Sequence, residues 1–176
     1  MSIETLHSLI PAYARDLSLN LNTVLADTLL SDQQKWGACL ACAYALGVPA
    51  VIRHIEAAAN LTPDAVTAAK AAAAIMALNN VYFRALHLMT NKAYGDMRSG
   101  LRMNILTNPG VEKVDFELWA LAVSAVNGCG LCLDSHEKVL RSHGVSALEV
   151  QSALRIAATI SAISSVLRVE TAAEVV

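Results

Sequence analysis

Apolar residues return every three or four positions along most of this chain, and no stretch alternates with period two for long enough to demand a strand. The pattern predicts an all-α fold. Ile3, Leu6, Leu9 and Ile10 mark a first short helix that Pro11 interrupts, and Tyr13, Leu17 and Leu21 continue as a second. Ser31 followed by Gln34 is a capping box, opening a helix through Trp36, Leu40 and Ala43 that Gly47 terminates. Pro49 suits the first turn of the next, with Val51, Ile52, Ile55 and Ala59 as its apolar positions. Thr62, Pro63 and Asp64 then supply a cap, a proline at N1 and a first-turn acid. The segment 63–87 behind them is rich in alanine. High helix propensity and small side chains predict a long, closely packed central helix there.

Residues 88–112 break the pattern. Gly95, Gly100 and the Asn108-Pro109-Gly110 turn punctuate them, and Arg84, Lys92, Arg98 and Arg102 lie in or near the region. An irregular linker is expected, with one short helical turn near Arg102 to Leu106. Asp115 then caps a helix covering Glu117 to Val126, which ends at Asn127-Gly128. A further helix runs from about 129 to 142, with Gly144 beyond it. Ser146 and Glu149 form a second capping box, opening a helix through Leu154, Ile156, Ile160, Ile163 and Leu167. Shifting the first half by 83 residues lays Trp36 on Trp119 and Pro63 on Ser146 without an insertion. That offset predicts one domain over residues 1–176, built from two related helical halves at about 31–87 and 114–170.

Composition adds an expectation about assembly. Apolar residues make up 55% of the chain, and Asp, Glu, Lys and Arg only 16%. A monomer ordinarily presents more charge than that, so the excess apolar surface points to a homo-oligomer. A net charge of −2 with no basic stripe leaves nothing to track phosphates, and no nucleic-acid partner is expected. Met1 to His7 begin polar and acidic, unlike a secretory leader, and the apolar run around Ala71 to Leu78 falls well short of a membrane span. The expected location is the cytoplasm, free of any membrane. In a reducing compartment a CxxC pair serves catalysis or metal binding more readily than structural cross-linking.

Two such pairs occur. Cys129 and Cys132 follow the Asn127-Gly128 break, and His136 lies four residues beyond the second thiol. A helix starting near Cys129 places all three on one face. Thiols one turn apart can close a disulfide, and the first turn of a helix favours a thiolate. These are the requirements of a redox-active dithiol. Cys39 and Cys42 sit mid-helix among Ala and Leu instead. Buried packing suits them best, with a second redox pair and a zinc site shared with Cys129 and Cys132 as the other readings. Taken alone, His136 also reads as a satisfied surface histidine and Glu117 as a solvated first-turn acid. His54, His87 and His143 have no comparable setting. Asn79 and Asn80 interrupt an apolar helix, and buried amides there must brace a neighbouring helix or meet an interface.

Glu117-Leu118-Trp119, the Cys129 and Cys132 pair, and His136 together resemble the alkylhydroperoxidase D (AhpD) branch of the carboxymuconolactone decarboxylase-like superfamily. The stretches 76–84 and 101–110 carry the resemblance outside the site, and it covers essentially the whole chain. It implies an AhpD-like all-helical enzyme, trimeric in the best-known members, that reduces alkyl hydroperoxides through its cysteines. It also implies electron transfer from dihydrolipoamide on an adaptor protein to a peroxiredoxin, alkyl hydroperoxide reductase C. By the same resemblance Cys132 is the peroxidatic thiol, Cys129 the resolving one, and His136 with Glu117 the proton relay. Leu131 stands where the family motif has its first histidine, which makes the pocket more apolar and suits fatty hydroperoxides or a lipoyl arm. No bound cofactor or metal is implied; the reductant is an external dithiol. A thiol switch without turnover and a structural zinc protein are the competing classes, while lactone chemistry in the wider superfamily needs no CxxC.

Overall fold

Helix boundaries in this chain are written by local backbone chemistry, and most fall where capping residues place them. The computed structural model describes Ser2–Ala173. Among the described residues there are eight α-helices and no strand. They are α1 (Ile3–Ser8), α2 (Arg15–Ala26), α3 (Asp32–Leu46), α4 (Pro49–Ala58), α5 (Pro63–Leu88), α6 (Lys113–Val126), α7 (Gly130–Ser142) and α8 (Ala147–Ala173). At the start of α3 the Ser31 hydroxyl accepts from the Gln34 N–H, and the Gln34 side chain accepts from the Ser31 N–H at 3.0 Å. Ser146 and Glu149 exchange the same two bonds before α8. Gly47 closes α3 in the left-handed conformation at φ 69°, donating to the Ala43 carbonyl.

Two boundaries differ from the expectation. Helix α6 starts at Lys113, and Asp115 lies buried inside its first turn rather than at its cap. There its carboxylate accepts from Gln33 Nε2 at 2.6 Å, so the acid ties α6 to the start of α3. The linker after α5 holds two 3₁₀ turns, Lys92–Asp96 and Asn104–Leu106, where one was expected. The first is set by the Asn91 side chain, which accepts from the Ala93 N–H.

Helices α3 and α6 form the centre. Residues 37–43 of α3 and 115–124 of α6 are buried on every side, the signature of a helix with no solvent face. Helices α5 and α8 pack against both. The alanine stripe of α5, from Ala65 through Ala68, Ala69, Ala72 and Ala73 to Met76, lets backbones approach closely. Gly37 of α3 lies directly under the indole of Trp119, whose Nε1 donates to the Gln34 carbonyl at 3.1 Å. Helix α7 lies on α5 and α6. The helix most like a membrane span is α8, rather than the stretch around Ala71: residues 147–172 are long and apolar enough by composition alone. Yet 56% of its apolar window is buried, with Ile156, Ile160 and Ile163 facing the core.

We propose that the two halves are copies of one helical unit. The 83-residue offset lays α3 over α6, α4 over α7 and α5 over α8. Superposing the halves tests this, and failure to bring Trp36 onto Trp119 would contradict it.

Candidate active site

The dithiol is positioned by the turn between α6 and α7. Val126 ends α6, Asn127 caps it, and Gly128 turns the chain at φ 68°, a conformation that favours glycine. Cys129 is the N-cap of α7, and its sulfur accepts from the Cys132 N–H at 3.3 Å. The two cysteines are joined as a disulfide, with Cα atoms 5.3 Å apart. Their surroundings differ. Cys129 has no exposed surface, whereas Cys132 keeps 6% of its own and opens onto a cavity of about 350 Å³. Phe83 of α5, Leu131 of α7, and Met103 and Leu106 of the linker make the apolar wall of that cavity. Its polar edge is Asn79, Ser135 and His136. Asn79 Oδ1 is buried without a hydrogen-bond partner among the described residues.

Glu117 and His136 meet. Glu117 Oε2 lies 2.6 Å from His136 Nδ1, and both side chains are nearly buried, at 11% and 12% exposed. Phe116, Leu118 and Leu121 hold this stretch of α6 in the core, at about 1.5–3 kcal/mol for each fully buried side chain. That anchoring forces Glu117 out of water, and a desolvated carboxylate requires a partner. The imidazole, one turn beyond Cys132, is that partner. In this disulfide state, among the described residues, the ring makes no hydrogen bond to either cysteine sulfur. Its Nε2 lies instead 3.2 Å from the thioether sulfur of Met76.

Buried Met76, Asn80 and Ser124 join half-buried Asn127 in a polar group that the sequence does not announce as part of the site. Met76 sits in an alanine-rich apolar helix and reads as core. Asn80 does brace α6, donating to Ser124 Oγ at 3.0 Å and accepting from Asn127 Nδ2 at 2.9 Å. Arg84 donates to the Asn127 carbonyl and so satisfies the end of α6.

Cys39 and Cys42 are free thiols with no exposed surface in the middle of α3. Burial pushes the Cys39 thiol up to about 12 and the Cys42 thiol higher still. The thiolate is the nucleophile and the metal ligand, so these two behave as small apolar side chains. Among the described residues no group of three or more His, Cys, Asp and Glu gathers to hold a metal ion, and the four-thiolate arrangement does not form.

A buried acid–imidazole pair near a helix-start disulfide, with Cys132 bordering a cavity, is the arrangement of a thiol redox site. The model of the carboxymuconolactone decarboxylase family matches residues 92–175. The alkyl hydroperoxide reductase AhpD of Maricaulis maris is 56% identical over 172 residues, covering 97% of this chain and 99% of that one. The protein of the same name from Streptomyces avermitilis is also 56% identical, covering 97% of each chain. That from Hyphomonas neptunium is 55% identical over 174 residues, covering 98% of this chain and 97% of its own. The chain belongs to the AhpD family, within the carboxymuconolactone decarboxylase superfamily.

Proposed function

We propose that the protein reduces alkyl hydroperoxides at Cys132 and is reset by dihydrolipoamide carried on an adaptor protein. The observation that carries this is the asymmetry of the pair: Cys132 borders an apolar cavity and Cys129 is sealed. In the reduced enzyme His136, oriented by Glu117, takes the proton of Cys132. The thiolate attacks the O–O bond, the alkoxide leaves as the alcohol, and Cys132 becomes a sulfenic acid. Cys129, one turn back, displaces water from that sulfur and forms the disulfide. An external dithiol then returns two electrons and two protons by thiol–disulfide exchange. A peroxiredoxin of the alkyl hydroperoxide reductase C type is a second destination for those electrons. The setting is the reducing cytoplasm.

The wall built by Phe83, Met103, Leu106 and Leu131 suits an alkyl chain or a lipoyl arm. The relatives named alkyl hydroperoxide reductase support the same substrate class. A peroxidase assay with dihydrolipoamide, glutathione and dithiothreitol as alternative reductants tests the proposal. Dihydrolipoamide should sustain many cycles per protomer and glutathione few. Equal rates with all three would remove the lipoyl preference, and one oxidation per protomer without cycling would mark a thiol switch instead.

The working unit is proposed to be a homo-oligomer, with a trimer favoured. Val81, Leu88 and Met97, in the last turns of α5 and the linker, are at least 60% exposed, and a second copy of this apolar-rich chain would cover them. Light scattering at micromolar concentration should report a multiple of 18.6 kDa, and a monomer would contradict the arrangement.

A further inference from the structure

The hydrogen-bond partners of His136 fix where its ring carries hydrogen. Nδ1 faces the Glu117 carboxyl at 2.6 Å, and Nε2 faces Met76 Sδ at 3.2 Å. A thioether accepts weakly and has no hydrogen to give. A bond between Nε2 and Sδ therefore requires the hydrogen to be on Nε2. The same sulfur has two further donors around it, Ser124 Oγ at 3.4 Å and Asn80 Nδ2 at 3.8 Å. Asn80 is itself oriented, since its Oδ1 accepts from Asn127 and its Nδ2 donates to Ser124 Oγ. Ser124 Oγ, already accepting, turns its own hydrogen to the sulfur. Met76 is completely buried, so water does not compete for its sulfur.

We propose that Met76 is a positioning residue of the thiol cycle: its sulfur holds the Nε2–H of His136 while the cysteines are joined, so that the imidazole enters reduction as a proton donor. This rests on Cys132 being the reactive thiol. An external thiolate reaches the disulfide through the cavity and attacks Cys132, the cysteine that borders it. The S–S bond breaks, Cys129 leaves with the electron pair, and a mixed disulfide remains on Cys132. The second thiol of the reductant passes its proton to the Cys129 thiolate and attacks the reductant's own sulfur, closing the reductant's disulfide. Cys132 then leaves as a thiolate and takes the hydrogen parked on Nε2, one helical turn away. The ring keeps its other hydrogen on Nδ1, facing Glu117 Oε2, and emerges with a lone pair at Nε2, which is the form needed to accept the Cys132 proton at the next peroxide. Met76 thus acts through His136, and the Asn127–Asn80–Ser124 chain keeps its sulfur in place.

Histidine nitrogen NMR on ¹⁵N-labelled protein in the disulfide state tests the assignment without any turnover, so it can fail while peroxide reduction stands, and the reverse. In the wild type, His136 Nε2 should carry a hydrogen with a resolved one-bond coupling and slow solvent exchange. A ring protonated only at Nδ1 overturns the proposal outright. In Met76→Leu the Nε2–H should exchange faster, and reduction of the disulfide by dihydrolipoamide should slow about threefold to tenfold, the effect of one lost hydrogen bond. Met76→Gln, whose side-chain oxygen can accept the same hydrogen, should restore both readouts. Met76→Leu protein with unchanged exchange and an unchanged reduction rate would also overturn it. Should Met76→Leu fail to fold, the wild-type spectrum and Met76→Gln decide, since loss of the Nε2–H in the glutamine variant contradicts a role as hydrogen acceptor.

Discussion

Cys132→Ser protein will turn over no alkyl hydroperoxide, whereas Cys129→Ser protein without reductant will release one alcohol per protomer and stop. Removing a covalent nucleophile costs about a thousandfold or more in rate, and no other thiol can substitute. Cys129 has no surface on the cavity, and Cys39 and Cys42 are buried thiols held protonated inside α3. The Cys129→Ser protein keeps the attacking sulfur but lacks the group that condenses with the sulfenic acid, so its first product accumulates. The measurement is alcohol released against protein added, with and without reductant. Full turnover by both variants would remove the pair from the chemistry.

The second large effect is on stability and comes from a glycine. In Gly37→Ala the new Cβ would sit 2.1 Å from Cε2 and Cζ2 of Trp119, inside the van der Waals radius of a rigid ring. Helix propensity alone favours the alanine by about 1 kcal/mol, so the two effects have opposite signs and the experiment separates them. The indole is fully buried and its Nε1 is committed to the Gln34 carbonyl. It cannot swing away without breaking that bond, so α3 and α6 must move apart. Overpacking of this kind costs about 3 kcal/mol or more, which for a chain of this size lowers the melting temperature by roughly 6–12 °C. Glu117 lies two residues from Trp119 on the same helix, so the displacement should also weaken its pairing with His136. Thermal unfolding by circular dichroism reads the effect. A melting temperature equal to or above the wild type would show that the α3–α6 contact is looser than the structure has it.

What the sequence makes legible here is what depends on near neighbours. Ser31 with Gln34, Ser146 with Glu149, Pro49, Pro63 and Gly47 act on their own backbone within one turn, and all fall at helix ends. The dithiol is equally local, because a three-residue spacing at a helix start brings two sulfurs together whatever else the fold does. Asp115 misleads for the same reason in reverse. It has the chemistry of a cap, yet Gln33, 82 positions earlier, claims its carboxylate. Met76 gives no signal at all, since a thioether in an alanine-rich helix looks like packing until His136 arrives from 60 residues away. The linker shows a similar limit. Its glycines and Pro109 announce irregular backbone but not that Met103 and Leu106 would wall the cavity at Cys132. The assignment of roles between the two cysteines rests on resemblance at the level of sequence; what the structure adds is that Cys132 borders the cavity and Cys129 does not.

The site of first oxidation tests the central claim most directly. Reduced Cys129→Ser protein is given one equivalent of an alkyl hydroperoxide, trapped with dimedone and digested for mass spectrometry. The expected result is an adduct on Cys132 and on neither Cys39 nor Cys42. Peroxide consumed with Cys132 left unmodified, or an adduct on the α3 cysteines, would contradict it.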